Sequence, residues 1–286
     1  MNRIVERKAL AEDVVRLRVE APLIAAERRA GQFVIVQIDS DFGERIPLTI
    51  ADADPAAGTI TLIFQVVGNT THRLADLAPG ASIANVLGPL GTPTPVEKLG
   101  TVVCVGGGIG IAPLYPIAQA MKRAGNRVEA ILGARTADLL VLEPEMTAVA
   151  DAVVVCTDDG SRGRRGLVTG PLLDRCGRGP PPAAVVAIGP PVMMKACAET
   201  TRPFGIRTVV SLNAIMIDGT GMCGGCRVTV GGETRFVCVD GPEFDGHAVD
   251  FDNLIQRLGA YRHVEDEHHE RCHLDLAIEE REKAGP

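Results

Sequence analysis

The segment DGTGMCGGCRVTVGGETRFVC, residues 218–238, constrains this chain more than any other, because it sets one aspartate and three cysteines at the spacing D-x4-C-x2-C-x11-C. Val and Thr alternate on one side of Gly-Gly-Glu and continue in the same β-branched style on the other, the pattern of a β-hairpin. A three-residue loop over Gly231, Gly232 and Glu233 would place Val230 opposite Thr234 and Cys226 opposite Cys238, and a two-residue loop moves that register by one position. In either register the two sulfurs finish close, since facing Cβ atoms in a ladder lie roughly 4.5–5.5 Å apart. Cys223 and Cys226 add a two-residue bite on a glycine-rich loop, whose backbone can curl until its N–H groups point at sulfur. The candidate metal ligands are therefore Asp218, Cys223, Cys226 and Cys238.

The spacing favours a [2Fe-2S] cluster. Plant-type clusters use C-x4-C-x2-C with a fourth cysteine later, and Asp218 stands in the place of the first. A carboxylate is a harder donor than a thiolate and can ligate ferric iron, so the substitution alters such a site without abolishing it. Structural zinc, a redox-active disulfide and unoccupied thiols are the competing readings. Cys104, Cys156, Cys176 and Cys197 lie apart from this set and read as small buried or incidental thiols. The start, MNRIVERKALAEDVV, is charged throughout with no apolar run, so it does not read as a secretory signal, and the eight cysteines are expected in a reducing, cytoplasmic setting.

The 286 residues suggest two or three compact units. Residues 1–97 carry short alternating runs such as VVRLRVE, FVIVQID and TITLIFQVV between Gly, Pro and Asp clusters, which predicts a small antiparallel β-barrel. In residues 98–205, compact Val, Ile and Ala runs alternate with helix-compatible stretches, predicting an α/β domain on a parallel sheet. The uncharged stretch 101–121 is long enough to cross a bilayer, but its four glycines and two prolines read as strand, turn and helix. Residues 206–286 hold the cysteine segment and a charged, helical-looking tail. There His268, His269, Cys272 and His273 have metal-pair spacing, although the surrounding charges point to a solvated or docking helix. A net charge of −7 with scattered Lys and Arg excludes a nucleic-acid footprint.

Three loops follow strands of the predicted α/β domain. GGGIGIAP, residues 106–113, departs from G-x-G-x-x-G at Ile111, yet a glycine-rich strand-to-helix turn still lets a diphosphate reach helix amides. TDDGSRGRRGLVTG (157–170) and IGPPVMMKA (188–196) fall at what should be the same carboxyl edge, where open α/β sheets bind ligands. In the barrel segment, ERIPLTI and FQVVGNTTHRL read as strand ends. There Thr49, Thr70 and Thr71 would offer hydrogen bonds to a flavin, with Arg45 as a charge partner.

Barrel, GGGIGIAP domain and aspartate-led DGTGMCGGCRV hairpin, taken in that order with ERIPLTIAD and TDDGS, resemble the electron-transfer subunits of the ferredoxin reductase superfamily, as in dihydroorotate dehydrogenase type B. Within that group the motifs are most similar to those of the small subunits of NADH-dependent ferredoxin:NADP oxidoreductases, also called sulfide dehydrogenase beta subunits. The resemblance covers nearly all of residues 1–260. It implies FAD at Pro47, Leu48, Thr49, Phe64, Gln65, Val66, Gly68, Thr70 and Thr71, beside the charge partner Arg45. It implies NAD(P) at Gly107, Gly108, Ile109, Gly110, Ala112, Pro113, Thr157, Asp158, Asp159, Gly160, Ser161, Gly189, Pro190 and Met193, with Arg135 the residue able to meet a 2′-phosphate. It also implies Asp218, Cys223, Cys226 and Cys238 as cluster ligands, and a large flavin and iron–sulfur partner subunit in a heterodimer that serves ferredoxin indirectly. Two departures are visible: Ile46 stands where the superfamily usually has arginine, and Ile188 stands where many relatives have cysteine.

These parts imply a division of labour. Nicotinamide exchanges electrons in pairs as hydride and an iron–sulfur cluster takes them singly, so a flavin must stand between, and no protein acid or base is required for the hydride step. The electron-transfer subunit of dihydroorotate dehydrogenase B or of a hydrogenase is the alternative in the same class. A non-catalytic flavin or nucleotide redox sensor is the alternative outside it.

Overall fold

A computed structural model describes residues 2–39 and 43–260. The tail set His268, His269, Cys272 and His273 lies outside the described residues.

The first sheet contains β1 (Asn2–Ala11), β2 (Val14–Glu20), β3 (Phe33–Gln37), β4 (Arg45–Asp54), β5 (Thr59–Gln65), β6 (Ser82–Ile83) and β7 (Asn85–Leu90), with α1 (Pro22–Glu27) and α2 (Asn69–Asp76) between strands. Its order is β6-β1-β2-β5-β4-β3-β7, with antiparallel pairing throughout. The two edge strands are separated in sequence by Ala84 alone, whose N–H donates to the Ile38 carbonyl. The sheet must therefore roll until its edges nearly meet, which is the barrel that the alternating runs predict. Ile4, Leu17, Ile50, Ile60, Leu62, Leu74 and Ile83 fill its interior.

The second sheet contains β8 (Thr101–Gly107), β9 (Arg127–Ala134), β10 (Ala152–Thr157), β11 (Arg164–Arg165), β12 (Ala184–Ile188) and β13 (Thr208–Ser211), all parallel. Four helices accompany it: α3 (Ile111–Arg123), α4 (Glu143–Val149), α5 (Thr169–Gly177) and α6 (Pro191–Thr201). The long uncharged stretch thus divides into β8 and α3, and among the described residues no helix is long and apolar enough to cross a membrane. The strand order β11-β10-β9-β8-β12-β13 reverses direction between β8 and β12, which opens a crevice at the carboxyl ends of those two strands.

The cysteine region is built from the hairpin β14 (Arg227–Val230) and β15 (Glu233–Phe236), then α7 (Val237–Asp240), β16 (Glu243–Asp245) and α8 (Phe251–Leu258). It is not a separate appendage. β16 joins the second sheet antiparallel to β13, pairing Ser211 with Glu243. Phe33 and Ile35 of the barrel, Val105 and Ala187 of the parallel sheet, and Cys226 and Cys238 share one buried core. A second shared core packs Val14, Ala51 and Ile63 of the barrel against Ile111, Leu114 and Ile117 of α3 and its neighbours.

Candidate functional site

The hairpin turns on two residues, not three. Val230 pairs with Glu233, and Gly231 and Gly232 have φ of 61° and 82°, the left-handed pair that a two-residue hairpin turn of matching twist requires. Extending that ladder sets Cys226 against Val237, whose N–H donates to the Cys226 carbonyl over 3.1 Å. The chain then leaves the ladder for the short helix α7, and this change of backbone swings Cys238 round until its Sγ lies 3.2 Å from that of Cys226. Both sulfurs are buried, and the Cys238 N–H donates to Cys226 Sγ over 3.4 Å. Burial pushes the Cys238 thiol up to about 12, and the neighbouring Cys226 adds to the shift.

On the facing loop, Gly225 N–H donates to Cys223 Sγ over 3.4 Å, so amide hydrogens do point at sulfur. Asp218 sits across from it. Its Oδ1 accepts from Thr220 N at 2.9 Å and its Oδ2 from Cys223 N at 2.8 Å, and these amide hydrogen bonds hold the carboxyl below its usual range. The four residues therefore form two pairs, Cys226 with Cys238 and Asp218 with Cys223. Among the described residues no three His, Cys, Asp or Glu side chains converge as a single-ion cage. Two donor pairs are what a two-iron cluster takes, one pair to each iron, so the donor set fits that group.

Gly219 fixes where this loop lies. Its φ is 72°, and a Cβ there would stand 2.7 Å from Ile35 Cγ1 and 2.9 Å from Leu90 Cδ1. Only a residue without a side chain lets the loop rest on β3 and β7. Ile35 in turn pairs across the ladder with Pro47, and Val34 and Phe33 pair with Leu48 and Thr49, the flavin segment the resemblance implies.

Thr70 and Thr71 are not strand-end residues. They occupy the first turn of α2, and their hydroxyls are engaged within the protein. Thr70 donates to Glu44, while Thr71 Oγ1 accepts from Val67 N and Gly68 N at 3.0 Å each and donates to the Gly68 carbonyl at 2.8 Å. What this turn can present to a diphosphate is its N-terminal end and the open space beside Gly68, where a Cβ would meet nothing within 4 Å. Arg45 is exposed at the start of β4, Phe64 is buried in the barrel core, and Gln65 ends β5 with Val66 directly after it.

At the crevice between β8 and β12 the GGGIGIAP turn is as tight as its composition suggests. Gly108 has φ of 56° with open space where a Cβ would project, so a ligand can approach its backbone. Gly110 admits no side chain because the Ile188 carbonyl and Gly189 Cα occupy the place, and Ala112 and Pro113 follow within the first turn of α3. Met193 lies over both Gly107 and Gly189 and roofs the crevice. The next two loops interlock. Ala137 N donates to Ser161 Oγ at 2.8 Å, Asp159 N to the Arg135 carbonyl at 3.3 Å, and the buried Thr157 hydroxyl to the Arg162 carbonyl at 2.9 Å. The Asp159 carboxyl lies below its usual range because Ser161 hydrogen-bonds to it through both its backbone and its hydroxyl. All three sequence-predicted loops therefore gather at one edge of the sheet.

Two connections had no sequence signal. Thr94, in the linker between the sheets, donates to Glu243 of β16, a carboxyl that burial pushes above its usual range. Arg227 and Arg257 hydrogen-bond the carbonyls of Gly224 and Gly225, both at 3.1 Å.

Comparison with known proteins agrees with this geometry. Residues 213–250 match the model of the iron–sulfur cluster binding domain of dihydroorotate dehydrogenase B, and residues 104–199 that of the oxidoreductase NAD-binding domain. The chain is 48% identical over 271 residues, 95% of each chain, to a dihydroorotate dehydrogenase B (NAD(+)) electron transfer subunit homolog of Thermotoga maritima. It is 35% identical over 250 residues, 84% of this chain and 94% of the other, to the dihydroorotate dehydrogenase B (NAD(+)) electron transfer subunit of Bacillus caldolyticus. A solved chain of an NADH-dependent reduced ferredoxin-NADP oxidoreductase, studied for flavin-based electron bifurcation, superposes with a TM-score of 0.89 at 47% identity, covering 95% of this chain and 97% of that one. The cytochrome b5 reductase domain of Ulva prolifera nitrate reductase, at 20% identity and a TM-score of 0.59, shares the fold. The chain belongs to the family of dihydroorotate dehydrogenase B electron-transfer subunits and their homologues, oxidoreductase subunits of the ferredoxin reductase fold that pair an NAD-binding domain with an iron–sulfur region.

Proposed function

We propose that this chain binds FAD on the barrel, NAD(H) at the crevice between β8 and β12 and a [2Fe-2S] cluster on its cysteine loop, and passes electrons between them and a large partner subunit in the cytoplasm. One relationship carries this reading: Gly219 lies on Ile35, and Ile35 is the ladder partner of Pro47. The loop for the cluster and the strand for the flavin are thus separated by the single strand β3, whose Phe33 and Ile35 lie in the core that also holds the parallel sheet. When bound, FAD and the cluster supply the exchange between paired and single electrons that neither nicotinamide nor iron supplies alone.

The protein's own part is placement. Asp218 with Cys223, and Cys226 with Cys238, would each hold one iron, with the amides of Gly225 and Cys238 supporting the sulfurs. Pro47, Leu48 and Thr49 on β4 and the first turn of α2 would hold the flavin, with Arg45 at the rim. Gly107 to Pro113, Thr157 to Ser161 and Gly189 to Met193 would hold the nicotinamide cofactor, and Arg135 lies beside the second loop. Relatives named for NAD(+) or NADH support NAD(H) here. The likeness to proteins named as electron transfer subunits supports a heterodimer, and the partner would decide whether electrons continue to ferredoxin.

An anaerobic visible spectrum of the purified chain, with iron and sulfide assays, tests the reading. Absorbance from both flavin and cluster, bleached by NADH, is the expected result. Zinc with no chromophore overturns it.

A further inference from the structure

The loop between Cys223 and Cys226 has a feature that metal ligation alone does not require. Its two middle residues each present their carbonyl to an arginine: Gly224 O accepts from Arg227 Nη1 and Gly225 O from Arg257 Nη2, both at 3.1 Å. The peptide unit that joins Gly224 to Gly225 is hydrogen-bonded at both ends, its oxygen to Arg227 and its N–H to Cys223 Sγ. The order is guanidinium, carbonyl, amide N–H, sulfur, so the peptide dipole has its positive end at the sulfur and its negative end on a cation. Hydrogen bonds in such a chain polarise one another.

The two arginines arrive from different elements, Arg227 from the first residue of β14 and Arg257 from the last turn of α8. They line one small cavity beside the loop, with Ala214, Leu254 and Leu258 forming its apolar side. Among the described residues neither forms an ion pair with a carboxylate, unlike Arg235 on the next strand, which pairs with Glu233 at 2.6 Å. Two positive charges with no carboxylate partner among the described residues therefore sit behind a donor set of three cysteines and an aspartate.

We propose that Arg227 and Arg257 set the reduction potential of the cluster, raising it by stabilising the state with one more electron. This rests on the proposed [2Fe-2S] assignment. Reduction adds a single electron, delivered within this subunit from NADH by way of the flavin, and no bond to either arginine forms or breaks. The added negative charge is favoured by nearby positive charge, directly and through the Gly224–Gly225 peptide. Both arginines are positioning residues, since they act on the sulfurs through the loop.

The test is an EPR-monitored redox titration of the cluster in the purified full chain, comparing wild type with R227Q, R257Q and R257K. In each Gln variant the ratio of reduced to oxidised cluster at a fixed potential should fall roughly tenfold, which for one electron is a midpoint about 59 mV more negative. R257K, which keeps the charge, should stay close to wild type. R227Q carries the decision if R257Q releases iron, because Arg227 is exposed. An unchanged midpoint in R227Q at full iron content overturns the proposal. Absence of a cluster from the wild-type chain would instead overturn the assignment on which it rests.

Discussion

Gly219 on the cysteine loop rests directly against Ile35 of the barrel, so closely that a methyl group at 219 would stand 2.7 Å from Ile35 Cγ1. The left-handed backbone at this residue, φ 72°, and the contact beneath it both exclude a side chain. G219A should cost about 1–2 kcal/mol for the left-handed conformation alone. The steric contact adds to that. The loop should lift from β3, and the measured signs would be a lower melting temperature and less iron per chain with flavin retained. Iron and stability both at wild-type values would show that the contact does not position the loop.

Asp218 makes two hydrogen bonds to the loop backbone and is the proposed fourth donor. D218A should lose most of its iron on purification. D218C restores a four-cysteine pattern and should retain iron with an altered EPR spectrum. Equal iron in wild type and D218A would remove Asp218 from the ligand set.

Met193 roofs the crevice over Gly107, and any side chain at 107 must displace it. G107A should weaken NADH binding by roughly tenfold, about 1.4 kcal/mol, while flavin and iron content hold. Calorimetric titration with NADH reads this directly, and unchanged affinity would place the nucleotide elsewhere.

Glu243 is buried beside Thr94, and its pKa is raised chiefly by burial, with the Thr94 hydrogen bond and Arg207 acting in the opposite direction. A raised acid favours the protonated form in the folded chain. Its contribution to stability is therefore complete below the unfolded carboxyl pKa and is lost as pH rises through the folded one. E243Q stays neutral at every pH. Melting temperatures should thus show E243Q gaining on wild type as pH increases from the acid side, and parallel curves would contradict the assignment.

Much of the fold was legible because it is written in local periodicity. VVRLRVE and TITLIFQVV alternate as half-buried strands do, and TVVCV and AAVVAI run continuously apolar as strands covered on both faces do. The grouping of Asp218 with Cys223 and of Cys226 with Cys238 was legible for the same reason, since their spacing is local. Other features were hidden by distance along the chain or by a choice between near-equal turns. Gly-Gly-Glu fits a two- or three-residue loop, and only the folded hairpin, with Gly231 and Gly232 both left-handed, shows two. Thr70 and Thr71 sit in a sequence with strand character before it and helix character after it, and packing of Leu74 into the barrel settles them as helix.

By itself the sequence determined which side chains are candidates for metal, flavin and nucleotide, because those sets lie within short segments whose spacing dictates reach. Tertiary structure alone decided how they stand to one another. That Cys238 meets Cys226 from a helix turn, that Gly219 lies on Ile35 one strand from Pro47, and that Arg257 reaches back 32 residues to Gly225 follow from burying three sheets' apolar faces in shared cores. Burial of that kind is a property of the whole packed chain, and no window of local sequence records it.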